Sequence, residues 1–193
     1  MSRVVHRAKI PIWYTEGFNP HPYLTFALPL SLGVRGKRES MDLKLLEEMP
    51  EQELIERLNA CLPTDIRVYA ATEPEMKPGR IAFARYDLIL KPEGNDGEDI
   101  LKTVNNVLAL PQVLVEKKSK AGLKEVDLKK NLCEYTLEPQ KDGVHMNVLL
   151  PAGSVNNINP SLIPTAISKY TGIQLTSDIT RQELYNEEKK PFR

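Results

Sequence analysis

The chain has 193 residues, 41% of them hydrophobic and 27% charged, which suits one large globular domain or two small ones and excludes a disordered chain. Its 26 basic and 26 acidic residues cancel at a pI near 6.8, which excludes nucleic-acid binding driven by bulk positive charge. No apolar run approaches the roughly 20 residues of a membrane helix, and Met1–Ile10 lacks the apolar stretch of a signal peptide, so a soluble, cytoplasmic protein without membrane contact is expected.

Residues 2–9 read as the end of a helix, with Val4, Val5 and Ala8 on one side, Arg3, Arg7 and Lys9 on the other, and Pro11 as its stop. A strand follows over 23–28, then a loop bounded by Pro and Gly over 29–37. The next strand covers 40–46, where Met41, Leu43 and Leu45 share a face. Pro50 opens an amphipathic helix over 50–61, with acidic residues in the first turn and Leu54, Ile55 and Leu58 inward, and 66–71 reads as a third strand. The charged, Pro-containing stretch 73–80 is a linker or exposed turn.

Beyond it a strand is predicted over 82–90 and a helix over 97–109, with Ile100, Leu101, Val104, Val107 and Leu108 on one face. A strand over 112–116 precedes a hairpin of 133–139 with 144–150 about Lys141-Asp142-Gly143. Asn159 caps a helix over 160–170 that Pro164 interrupts or delays, and a last strand covers 173–185. The halves read as two copies of one βαββαβ plan. The expected fold is α+β, two tandem ferredoxin-like sandwiches of which the first lacks its N-terminal strand. On that plan residues 1–75 form the incomplete domain, 80–186 the second, and 187–193 a flexible tail.

Zero net charge conceals segregation. Residues 1–38 carry six basic side chains against one acidic, 39–75 carry three against ten, and 117–130 carry six lysines against two acids. Cys61 and Cys133 belong to no CxxC or Cys/His cluster and read as two buried thiols in a reducing compartment, while His6, His21 and His145 are too scattered to suggest a metal site. No phosphate-binding, zinc-protease or nucleophile-elbow motif occurs, so a catalytic set or cofactor of the chain's own is not expected.

Three segments invite a functional reading. Gly17 permits positive φ and Pro20 and Pro22 fix two backbone angles, so 16–22 is a rigid turn. It either presents Glu16, Asn19 and His21 as a polar cluster, His21 with Glu16 forming a proton-transfer pair, or uses Asn19 and Glu16 to cap backbone groups while His21 packs on a ring. Arg35, Lys37 and Arg38, near Trp13, Tyr14, Phe18 and Tyr23 in sequence, resemble the mixture of cations and rings that binds single-stranded RNA, or else form a solvated loop beside core aromatics. Lys117, Lys118, Lys120 and Lys124 are likewise a phosphate track or plain surface.

The run Tyr14-Thr15-Glu16-Gly17-Phe18-Asn19-Pro20-His21-Pro22 is followed by Leu24-Thr25-Phe26-Ala27-Leu28-Pro29-Leu30, Gly33-Val34 and Met41-Asp42-Leu43-Lys44-Leu45. Farther on, Lys124-Glu125-Val126-Asp127-Leu128 trails the basic stretch 117–120. Together they resemble the signature of the bacterial radical-SAM-linked proteins, a family of unknown function found beside or fused to radical S-adenosylmethionine proteins. The resemblance spans most of the chain. It implies a radical S-adenosylmethionine protein as partner, which would supply the iron–sulfur cluster because this chain has no CxxxCxxC; the basic and aromatic segments add RNA, so tRNA or rRNA modification is the expected setting.

The resemblance also implies a strand and a Ser-His-Leu-Asp segment ahead of the first helix, whereas the opening residues Met1–Ala8 resemble the middle of that helix. Loss of that strand would leave a sheet edge exposed. Three functions stay in view: an accessory protein that binds RNA or presents substrate, a protein-interaction module that docks through the acidic 39–75 stretch, and a small RNA-processing enzyme using His21 and Glu16.

Overall fold

The computed structural model describes residues 1–94, 99–119 and 122–193. Helix α1 (Ser2–Arg7) precedes three short strands, β1 (Leu24–Phe26), β2 (Val34–Gly36) and β3 (Met41–Leu43), and then α2 (Glu51–Cys61). The rest comprises β4 (Ile81–Pro92), α3 (Ile100–Ala109), β5 (Leu114–Ser119), β6 (Gly122–Asp127), β7 (Glu134–Gln140), β8 (Gly143–Pro151), α4 (Leu162–Thr171) and β9 (Leu175–Asn186). These elements form two compact units. Unit 1 is residues 1–27, 40–77 and 193; unit 2 is 28–39 and 78–192.

In unit 1, α1 and α2 pack through Val4, Val5, Ala8 and Leu58, with Ile10 and Ile12 completing a buried cluster over the antiparallel pair β1–β3. Each helix C-terminus leaves carbonyls without partners, and here an arginine from the other helix meets them. Arg7 donates to the Cys61 carbonyl at 3.0 Å, and Arg57 donates to the Lys9 carbonyl at 3.1 Å. Helix α1 ends in a Schellman-type turn, with Ile10 N–H on the Val5 carbonyl and Lys9 N–H on that of His6. The residue in its left-handed position is Lys9, at φ +53°, at a cost of about 1–2 kcal/mol relative to glycine.

The third strand expected over 66–71 is absent. Asn59 of α2 occupies the place of a partner strand: its amide donates to the Val68 carbonyl at 2.8 Å and its oxygen accepts from the Val68 N–H at 2.9 Å. A side chain thus satisfies the backbone that a neighbouring strand would have satisfied. With two three-residue strands in its sheet, unit 1 is not a ferredoxin-like sandwich, and the tandem arrangement is not formed.

Unit 2 holds a five-stranded sheet in the order β2-β9-β4-β8-β7, antiparallel throughout except where β2 lies parallel to β9. Alternation sets its two faces. Ala84, Tyr86, Leu88 and Leu90 of β4 and Val144, Met146, Val148 and Leu150 of β8 form the buried face. It joins the apolar sides of α3 (Val104, Val107, Leu108) and α4 (Ile163, Ala166, Ile167) in the core. Asp99 caps α3 by accepting from the Lys102 N–H, and the predicted start at 97–98 lies outside the described residues. Pro164 sits in the first turn of α4, where no N–H is required, so the helix starts late and is not interrupted.

Three segments differ from the sequence reading, as does Cys133, which is exposed and not buried. The 29–37 loop contains β2, and 122–127 pairs with β5 as β6. The segment 187–193, read as a tail, folds back: Phe192 is buried and its N–H donates to the Leu184 carbonyl at 2.8 Å.

Candidate functional site

Residues 13–23 form a narrow hairpin in unit 1. Trp13 accepts from the Tyr23 N–H at 2.8 Å, Tyr14 pairs with Pro22, and the Thr15 N–H donates to the His21 carbonyl at 2.9 Å. The base is fixed to β3's continuation, because Trp13 N–H donates to the Lys44 carbonyl at 2.7 Å. Tyr23 packs edge-on to the Trp13 ring at 5.8 Å, and the Lys44 ammonium stands 4.1 Å from that ring's centre. Gly17 reverses the chain at φ +126°, a conformation closed to other residues.

The hairpin locks His21 by its backbone and one ring nitrogen. The His21 N–H donates to Thr15 Oγ1 at 3.1 Å, and Nδ1 lies 3.0 Å from that oxygen and 3.2 Å from the Asn19 carbonyl. A carbonyl only accepts, so the Asn19 contact calls for a proton on Nδ1. Among the described residues Nε2 has no partner, and Glu16, exposed, does not bond the ring. The Glu16–His21 proton pair is therefore not assembled here. At the tip Phe18 is fully exposed, with Tyr14 and Asn19 also exposed below it. The structure brings together Tyr14, Glu16, Phe18, Asn19 and His21.

Arg35, Lys37 and Arg38 belong to unit 2, on and just after β2. They do not form a free basic loop. Arg35 pairs with Asp178 at 3.0 Å, Arg38 with Glu183 at 2.6 Å, and the Lys37 N–H donates to the Arg181 carbonyl at 2.9 Å. The lysines 117 and 124 face each other across the β5–β6 pair. Lys117 donates to the Asn157 carbonyl at 2.6 Å, while Lys124 is exposed. Lys118 occupies β5 opposite Leu123, and Lys120 lies outside the described residues.

Two clusters escaped the sequence reading. Arg181, buried on the inner side of β9, bonds Glu39 through Nε at 3.0 Å and again through Nη2, which also donates to the Leu28 carbonyl at 2.6 Å. Burial works against its charge and Glu39 restores it, leaving the guanidinium more basic than usual. On the sheet's other face Asp87 accepts from Asn147 at 2.8 Å and from Gln182, and His145 Nε2 lies 3.2 Å from it. Arg85 joins Asn147 to Glu134 at 2.8 and 2.9 Å. Hydrogen bonds from Lys189 and then Arg85 hold the Glu134 carboxyl below its usual range. The alternation of β4 placed Arg85 and Asp87 on one face, but their partners come from strands about 50 to 95 residues away.

A family model described as an uncharacterized protein conserved in bacteria matches residues 1–160. The chain belongs to that family, DUF2344. No curated protein matches it. The DUF2344 match includes the whole 13–23 hairpin, β2 with Glu39, and the β5–β6 pair; α4 and β9, with Arg181, lie beyond it. Among the described residues no helix is long and apolar enough to cross a membrane, and no group of three or more His, Cys, Asp or Glu is placed to hold a metal ion.

Proposed function

We propose that this DUF2344 protein is a non-catalytic accessory protein of the cytoplasm that docks on a radical S-adenosylmethionine partner through its 13–23 hairpin and presents a tRNA or rRNA substrate to it. The observation that carries the docking half is Phe18, wholly exposed at the tip of a hydrogen-bonded hairpin. An exposed Phe forfeits about 2–3 kcal/mol that burial in a partner would recover, and a preformed turn loses little entropy on binding. Aromatic anchors of this kind dominate many interfaces. Unit 2 serves as the scaffold. We read it as a single ferredoxin-like sandwich with an inserted β5–β6 hairpin and β2 added at one edge, which fits its β9-β4-β8-β7 order.

The RNA half draws on the β5–β6 register. Lys117 opposes Lys124 and Glu116 opposes Glu125, two like-charge pairs that each disfavour the hairpin by a few tenths of a kcal/mol or more. A phosphate backbone lying along the lysine side offsets one of them.

Co-purification with a radical S-adenosylmethionine protein of the same bacterium tests the docking. The wild type should form a stable complex, Phe18→Ala should weaken it about tenfold or more, and the variant should melt within about 1 °C of wild type, since the ring makes no core contact. No complex, or one indifferent to Phe18→Ala, refutes the docking. For the RNA half, filter binding of bulk tRNA should lose about two units of salt slope when Lys117 and Lys124 both become Ala.

A further inference from the structure

Unit 1 carries an open groove of about 610 Å³ between the end of α1, the segment 10–14 and Leu46. Its cationic lining is His6, Arg7 and Lys9. Its apolar lining is Ile10, Pro11, Ile12 and the exposed Leu46, joined by the half-exposed Tyr14. A smaller groove of about 290 Å³ shares Arg7 and Lys9 and adds Arg57. No carboxylate lines either one, although acidic residues outnumber basic residues ten to eight in unit 1.

The cations here are held and available. Among the described residues neither the Lys9 ammonium nor the His6 ring has a polar partner. Arg7 commits one Nη to the Cys61 carbonyl and keeps its other donors. The dipole of α1 accounts for basic residues in its last turn, but α1 has six residues and Lys9 stands beyond it. Lys9 holds φ +53° in a turn where glycine would be unstrained, fixed by the Val5–Ile10 and His6–Lys9 bonds and by Arg57 on its carbonyl. Strain kept at a residue lining a groove points to a use for its side chain.

A groove lined by three cationic side chains, apolar residues and a tyrosine, with no carboxylate, matches a ligand with an anionic end and a flat apolar body. We infer that this groove binds a nucleotide, with His6, Arg7 and Lys9 on the phosphate and Tyr14 with Leu46 against the base. The nucleotide is either free or one unit of a single-stranded RNA, and the chemistry of recognition is the same. This inference does not depend on docking through Phe18, which lines neither groove.

The test is a titration of the full chain, followed by amide chemical shifts, with four probes: adenosine 5′-monophosphate, inorganic phosphate, adenosine and a 5′-phosphorylated octa-adenylate. Saturable shifts at Lys9, Tyr14 and Leu46 are expected with adenosine 5′-monophosphate, with adenosine and phosphate each weaker by about tenfold. Lys9→Gly should lower the affinity about fivefold or more while melting no lower than wild type, because it removes the charge and the strain together. Phe18→Ala should leave the affinity unchanged. An octamer binding about tenfold more tightly than the monophosphate supports the site with RNA as its source, and equal affinity supports it with the free nucleotide. The inference is overturned if no probe saturates, if adenosine or phosphate equals the monophosphate, or if Lys9→Gly binds as wild type.

Discussion

Replacing Arg181 with Met removes a charge that is 2% exposed and keeps most of the side-chain volume. Lost with it are the paired contacts to Glu39, the 2.6 Å bond to the Leu28 carbonyl, a long one to that of Pro29, the hydrogen bond with the Tyr86 side chain, and the charge that balances Glu39. Removing one partner of a buried pair costs about 3–5 kcal/mol, because the remaining charge stays desolvated. The Glu39 side chain is 27% exposed and regains part of its hydration, which brings the expected loss to the lower end, about 3 kcal/mol. Glu39→Gln should cost at least as much, about 3–5 kcal/mol, because it leaves the more deeply buried charge of the pair without a counter-charge, although glutamine still accepts a bond and the guanidinium keeps the Leu28 carbonyl. For a chain of this length 3 kcal/mol corresponds to a fall of about 10 °C in Tm, readable by calorimetry. Hydrogen exchange adds a local readout. The Lys37 N–H bonds the Arg181 carbonyl, and β2 is held at the sheet edge by a three-residue parallel pairing, so the 34–37 amides should lose protection ahead of β4 and β8. Arg181→Met melting within about 2 °C of wild type, or with the 34–37 amides unchanged, would refute the argument that this pair fastens the 28–39 arm.

Asn59→Ala removes both bonds to Val68 and should destabilise unit 1 by about 1–2 kcal/mol in urea denaturation, whereas Asn59→Asp, which keeps the acceptor alone, should recover part of the loss. Burial raises the Asp42 carboxyl above its usual 3.8, so the fold disfavours the ionised form. The penalty is absent below 3.8, where both states are protonated, and grows as pH rises past that value. Asp42→Asn should therefore be more stable than wild type at pH 7, with the difference vanishing as pH falls to 3.8; a constant difference across that range would contradict the assignment.

Most long elements were legible in the sequence because their burial follows a short period. The apolar stripe of α3 and the alternation of β4 and β8 survive whatever packs on them. The 16–22 turn was legible for a different reason, since Gly17, Pro20 and Pro22 restrict their own backbone. The failures share the opposite property. The 66–71 segment has strand composition, but a strand needs a partner, and Asn59 took that role. The 29–37 loop has turn composition, yet β9 supplied the partner that made Val34–Gly36 a strand.

Zero net charge, six basic residues in the first 38 and ten acids in 39–75 are properties of the chain as written. Which charges are available is a tertiary matter, because an ion pair forms between side chains that meet in space irrespective of their separation along the chain. Arg35 and Arg38 looked free in sequence and are paired with residues more than 140 positions away, whereas Arg7 and Lys9 looked like the solvent side of a helix and line a groove without an acid. The sequence determined the amount of charge and the stiffness of the 16–22 turn, both local quantities. The tertiary structure decided where uncompensated cations remain, since that depends on which distant carboxylates the fold brings within reach.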